Sequence, residues 1–139
     1  MCRVSVVVSI LLSLVACEKA QEKVDKGVSL ELAKERKSNI GGVSYRLYFS
    51  IPKEREEPIM AESEIFFELS ELTPIVLDFK ETEDKILAVT SGGKRVPYTF
   101  KNEHIIIQPE HLKEGRNELN IQFIACLLYT SPSPRDAHE

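Results

Sequence analysis

Three observations predict an all-β fold, an antiparallel sandwich or saddle. Short runs alternate between apolar and polar residues with a period of two. About seven such runs follow one another at roughly ten-residue spacing. Turn-forming residues, among them Pro52, Pro58 and Gly92-Gly93, fall between them. A signal helix and one short helix are expected to precede the strands, and the β-domain reads as incomplete.

The chain opens with MCRVSVVVSILLSLVAC, in which Arg3 is the only charge before an apolar run from Val4 to Ala16. That run is too short to span a bilayer comfortably and right for the apolar part of a secretory signal. It closes on Leu14-Val15-Ala16-Cys17, which resembles the bacterial lipobox. The resemblance implies a lipoprotein signal peptide over 1–16 and lipidation of Cys17. Each buried acyl methylene contributes about 0.8 kcal/mol, so several chains anchor the protein to a membrane essentially permanently. Glu18 at the following position implies the cell envelope, and the outer membrane of a Gram-negative bacterium, as the destination. A plain signal peptide cut at a nearby small residue is the alternative. Residues 17–27 are mostly charged, have no apolar face, and read as a solvated tether.

From Val28 to about Lys37 the pattern suits a short helix capped by Ser29, with Leu30, Leu32 and Ala33 as an apolar stripe and Gly41-Gly42 as its stop. The period then becomes two. In VSYRLYFSI, Val43, Tyr45, Leu47, Phe49 and Ile51 share one face. After the loop PKEREEP, a second strand sets Ile59, Ala61, Ser63, Ile65, Phe67 and Leu69 on one face and Glu62, Glu64, Phe66 and Glu68 on the other. TPIVLDF is a third strand and KILAVTS a fourth. Gly92-Gly93 suits a hairpin turn, after which VPYTF is expected to pair back. HIIIQ follows the turn KNEH, PEHLKEG reads as one helical turn closed by Gly115, and RNELNIQFI is the last strand, with Leu119, Ile121 and Phe123 inward. The aromatic residues Tyr45, Phe49, Phe67, Phe79 and Phe123 are expected in the core.

At 139 residues the chain allows one domain with appendages, and 42% hydrophobic with 29% charged residues is ordinary for a globular protein. A net charge of −4, with cations interleaved among acids, offers no basic face for nucleic acid. Cys2, Cys17 and Cys126 have neither disulfide-framework nor metal-knuckle spacing.

Few groups suggest chemistry. Glu62, Glu64 and Glu68 could act as acid and base or bind a cation, but such a row is more often the wet face of a half-buried sheet. His104 and His111 lack the converging ligands a zinc site needs and read as loop-edge histidines. Gly92-Gly93 is no phosphate loop, since no Gly-Lys-Ser/Thr follows. The expectation is a chain with no catalytic, metal or cofactor-binding residue of its own.

The ordered set GVSLELAKERKSNIGGVSYRLYFSIP, EIFFELSELTPIVLDF, KILAVTSGGKRVPYTF and EHIIIQPEHLKEGRNELNIQFIA is similar to the N-terminal β-domain of the aminopeptidase N family of zinc metallopeptidases, in its bacterial lipoprotein branch. The family's Y-x-L-x-F-x-I strand matches Tyr45 to Ile51, its Leu-Asp-Phe strand matches Ile75 to Phe79, and its G-x-N-x-L-x-I-x-F strand matches Gly115 to Phe123. The resemblance spans residues 28–125. It implies a parent hydrolase that removes N-terminal residues from peptides, with zinc held by HExxH and a later glutamate. None of these motifs occurs here, and His138-Glu139 ends before a second histidine. The resemblance therefore implies a non-catalytic domain, inactive alone, whose partner is the catalytic domain of the same polypeptide.

The tail 126–139 departs from that pattern. CLLYTSPSPRD is briefly apolar, then Ser- and Pro-rich, with no period of two or 3.6. It resembles a translated sequencing adapter, which makes this stretch an expected artefact without order; an ordinary disordered terminus is the alternative. The competing functional reading is a complete small surface lipoprotein with a β-sandwich binding module.

Overall fold

The computed structural model describes residues 25–54 and 56–125. The signal peptide, Cys2, Cys17, Cys126, residues 17–24 of the tether and the tail 126–139 lie outside the described residues.

Helix α1 (Leu30–Asn39) begins where Ser29, in extended conformation, accepts a hydrogen bond from the Leu32 N–H at 3.1 Å. Its expected apolar stripe is not what docks it, because Leu30 and Ala33 are exposed and Leu32 is only half-buried. The last helical residue does that work. Asn39 is buried, donates to the Glu71 carbonyl at 3.0 Å and to Thr73 Oγ1 at 2.8 Å, and accepts from the Glu71 N–H at 2.6 Å.

No loop follows. Strand β1 (Ile40–Ser50) starts at once, so Gly41-Gly42 is not a helix stop. The pair lies inside β1, where the pairing register shifts between Gly41 and Ser44 and Gly42 has φ +59°. A bulge needs such a backbone, and glycine adopts it without steric cost.

Strand β2 (Ile59–Leu69) alternates as expected: Ile59, Ala61, Ser63, Ile65, Phe67 and Leu69 are all buried. The remaining strands are β3 (Ile75–Asp78), β4 (Ile86–Ser91), β5 (Lys94–Arg95), β6 (Thr99–Lys101), β7 (His104–Ile107) and β8 (Gly115–Ala125). They form two antiparallel sheets, ordered β1-β2-β8-β4-β5 and β3-β7-β6. The fold is all-β.

VPYTF is a correction. Lys94-Arg95 pair back onto β4 around Gly92-Gly93, both at positive φ. Pro97 has no N–H for a ladder, and past it Thr99–Lys101 joins the other sheet against β7. Of the expected strand only Thr99 and Phe100 lie in one, and it belongs to the other sheet. Gly115 likewise does not close the helical turn, which spans Pro109–His111 and is capped at Leu112; it opens β8 instead, with φ +79°.

The two sheets share one core. Ile65, Phe67 and Leu69 of β2, Ile86 and Val89 of β4, and Leu119 and Ile121 of β8 pack with Ile75 of β3 and Ile105 and Ile107 of β7. Phe79 joins its edge, meeting Phe100 and Phe123 edge-to-face at centroid distances of 6.3 and 5.5 Å. The smaller sheet therefore lies over β2, β8 and β4; of β1 only Ile40 packs against the shared core, and the strand from Val43 onward is left uncovered.

Candidate functional site

Strand β1 has the same alternation as β2, yet its apolar residues remain in solvent. Tyr45 is 60% exposed, Leu47 57% and Phe49 55%. Register places them on the core-facing side, because Tyr45 lies opposite Ile65, Leu47 opposite Ser63 and Phe49 opposite Ala61. Tyr45 and Phe49 are thus not core residues as expected, since among the described residues no second-sheet strand lies above them. Val43 and Ile51 are exposed as well. Large apolar side chains on one side of a well-formed edge strand mark a surface that needs a cover.

Beside this face runs a groove of about 320 Å³ between β1, β3 and α1. Its floor and walls include Ile40, Val43, Tyr45, Ile65, Phe67 and Ile75. Its polar end is built by Arg36, whose guanidinium holds Asp78 through both carboxylate oxygens at 2.7 and 3.0 Å and donates to the Val76 carbonyl at 2.8 Å. A two-point guanidinium–carboxylate contact fixes orientation as well as charge, so it ties the helix to β3.

His104 completes this cluster and corrects the loop-edge expectation. It is 1% exposed, stands opposite Asp78 in the β3–β7 register, and sets Nε2 3.1 Å from Asp78 Oδ1. Its Nδ1 is buried without a hydrogen-bond partner among the described residues. Turn residues Asn102 and Glu103, both at positive φ, precede β7, which begins at the histidine as the pattern HIIIQ predicts. His111 is half-buried elsewhere, on the rim of a groove of about 800 Å³ that it shares with Glu68, Lys94, Arg116 and Glu118. Ser91 Oγ donates to its carbonyl at 2.7 Å.

The Arg36 hydrogen bonds hold the Asp78 carboxyl below its ordinary value; burial opposes this, and the charges of Arg36 and His104 reinforce it. A carboxyl whose folded value is depressed contributes stability that is full above its unfolded value and disappears as pH falls through the folded one. The contribution is modest, because the side chain is 53% exposed. The gap in urea midpoint between the wild-type chain and Asp78→Asn should be widest near neutrality and narrow below about pH 4. A gap constant down to pH 3 would contradict this role for the Arg36–Asp78 pair.

The three glutamates are held separately. Glu62 accepts from Asn120 Nδ2, Glu64 lies 3.4 Å from Arg46 Nη1, and Glu68 lies 3.4 Å from Arg116 Nε. Arg46 also sits over the Phe66 ring at 4.9 Å. Among the described residues no three His, Cys, Asp or Glu side chains converge on one point. No helix among them is long and apolar enough to cross a membrane. Fold and surface define an all-β domain with one uncovered apolar edge. No protein-family model, curated protein or solved structure matches the chain.

Proposed function

We propose that this chain is the non-catalytic N-terminal β-domain of a lipid-anchored zinc aminopeptidase, and that its partner is the catalytic domain. The uncovered side of β1 carries this reading. Tyr45, Leu47 and Phe49 continue the core face of the larger sheet beyond the reach of the smaller one, as they do when a neighbouring body completes the packing. The strand series quoted above supplies the family. In this reading zinc and the groups that grip the peptide's free amine belong to the companion, and the β-domain walls its cleft. Lipidated Cys17 holds the whole at the cell envelope, in the outer membrane.

Reading the source DNA across codon 126 tests the proposal. An open frame that runs on to an HExxH segment supports it. A stop soon after Ala125 contradicts it and favours the self-sufficient surface lipoprotein with a binding module.

A further inference from the structure

Both sheets present an edge to the β1–β3 groove, and the two edges differ. In β3 the Phe79 N–H donates to Glu103, so odd-numbered residues face β7 and the backbone groups of Val76 and Asp78 face outward. Arg36 occupies the Val76 carbonyl and grips the Asp78 side chain, which blocks strand addition there. Among the described residues nothing covers the free edge of β1 in this way. It is eleven residues long, contains no proline, and has one charge, Arg46, already engaged by Glu64 and Phe66. Of the two edges at this groove, β1 is the one open to an added strand, and it is longer than the two-residue β5 and three-residue β6 at the far edges.

The sequence of β1 complements itself. In a two-fold antiparallel pair centred on Leu47, Leu47 opposes Leu47 of the second copy, Tyr45 opposes Phe49, and Val43 opposes Ile51. Within β1, Tyr45, Leu47 and Phe49 then all meet apolar residues, and Val43 faces Ile51 one position past the end of the strand. On the outer face Arg46 opposes Tyr48 and Ser44 opposes Ser50, so no like charges face one another and the guanidinium gains an aromatic neighbour. Centring the pair on Arg46 instead would oppose two guanidiniums. Centring it on Tyr48 would shorten the paired stretch within β1 from 44–50 to 46–50.

We infer that two copies of this chain associate through antiparallel pairing of their β1 strands about Leu47, joining two five-stranded sheets into one of ten. The inference rests on the β1 edge and not on the aminopeptidase reading, so the DNA test above and the test below fail separately. It describes what the 139-residue chain does when no companion domain covers that edge.

Sedimentation of the full chain, its Leu47→Lys and Leu47→Glu variants, and their equimolar mixture tests it. Leu47 is exposed on an edge strand, so both variants should keep the wild-type far-ultraviolet spectrum. The wild type should pass from monomer to dimer mass with concentration. Each variant, with like charges opposed at the two-fold, should dissociate at least about tenfold more readily. The mixture, opposing Lys to Glu, should regain dimer mass. A monomeric wild type, undiminished association in both variants, or a mixture no better than its components would each overturn the inference.

Discussion

Leu119→Ala should destabilise the domain by about 2–5 kcal/mol, the range for emptying a rigid core site. Leu119 is fully buried on β8, with β2 hydrogen-bonded on one side and β4 on the other. It stands opposite Ile65 of β2 and meets the core to which Ile105 and Ile107 of the smaller sheet belong. A strand held on both edges cannot move inward to fill the space, so lost burial and lost packing add. Domains of this size are stable by only about 5–15 kcal/mol in all. Urea unfolding should show a lower midpoint with an unchanged slope, and Leu119→Met, which keeps the volume, should cost less than about 1.5 kcal/mol. An alanine effect below about 1 kcal/mol would mean that the two sheets do not close over β8 as described.

Asn39→Ala should cost about 1–3 kcal/mol, although it deletes almost no apolar surface. One amide satisfies both backbone groups of Glu71 and the Thr73 hydroxyl, while the Asn39 carbonyl accepts from the Ser70 N–H at 3.0 Å. The helix-to-β1 junction and the link from β2 to β3 are thus joined through a single side chain. Truncation leaves the Glu71 groups unpaired in a part-buried site, where water replaces them poorly. Asn39→Asp should be damaging too, since a carboxylate can still accept from the Glu71 N–H but cannot donate to its carbonyl. Thermal melting should place both variants below the wild type, with helical signal lost earlier in the alanine variant. A melt indistinguishable from wild type in both would contradict the assigned role.

These residues also show what alternation in a sequence can convey. In β2 and β8, period two sorted the inward from the outward side chains correctly, from Ile59 to Leu69 and from Leu119 to Phe123. In β1 the same pattern identified which residues share a face but not whether anything lies above them. That depends on the width of the second sheet, which no local pattern encodes. VPYTF misled because five consecutive residues looked like one strand, while Pro97 let the chain change sheets. His104 and Asn39 were missed for another reason. A buried polar residue is tolerated because of partners distant in sequence, Asp78 for one and Glu71 with Thr73 for the other, and those pairings exist only after folding. The uninterrupted apolar run Ile105-Ile106-Ile107 directly after His104 was the one hint in the sequence, and all four residues are buried. Gly41-Gly42 carried a signal for positive φ that suits a bulge as well as a helix stop.

The central claim is that the inner face of β1 belongs to an interface and not to this domain's own core. Replacing Tyr45, Leu47 and Phe49 together by threonine, which keeps strand propensity, tests it most directly. Unfolding and binding of anilinonaphthalene sulfonate should be followed side by side. The triple variant is expected to melt cooperatively near the wild-type temperature while losing most of the dye fluorescence. Collapse of the cooperative transition, with dye binding unchanged or increased, would show that these three side chains hold the fold together and that β1 has no face to offer a partner.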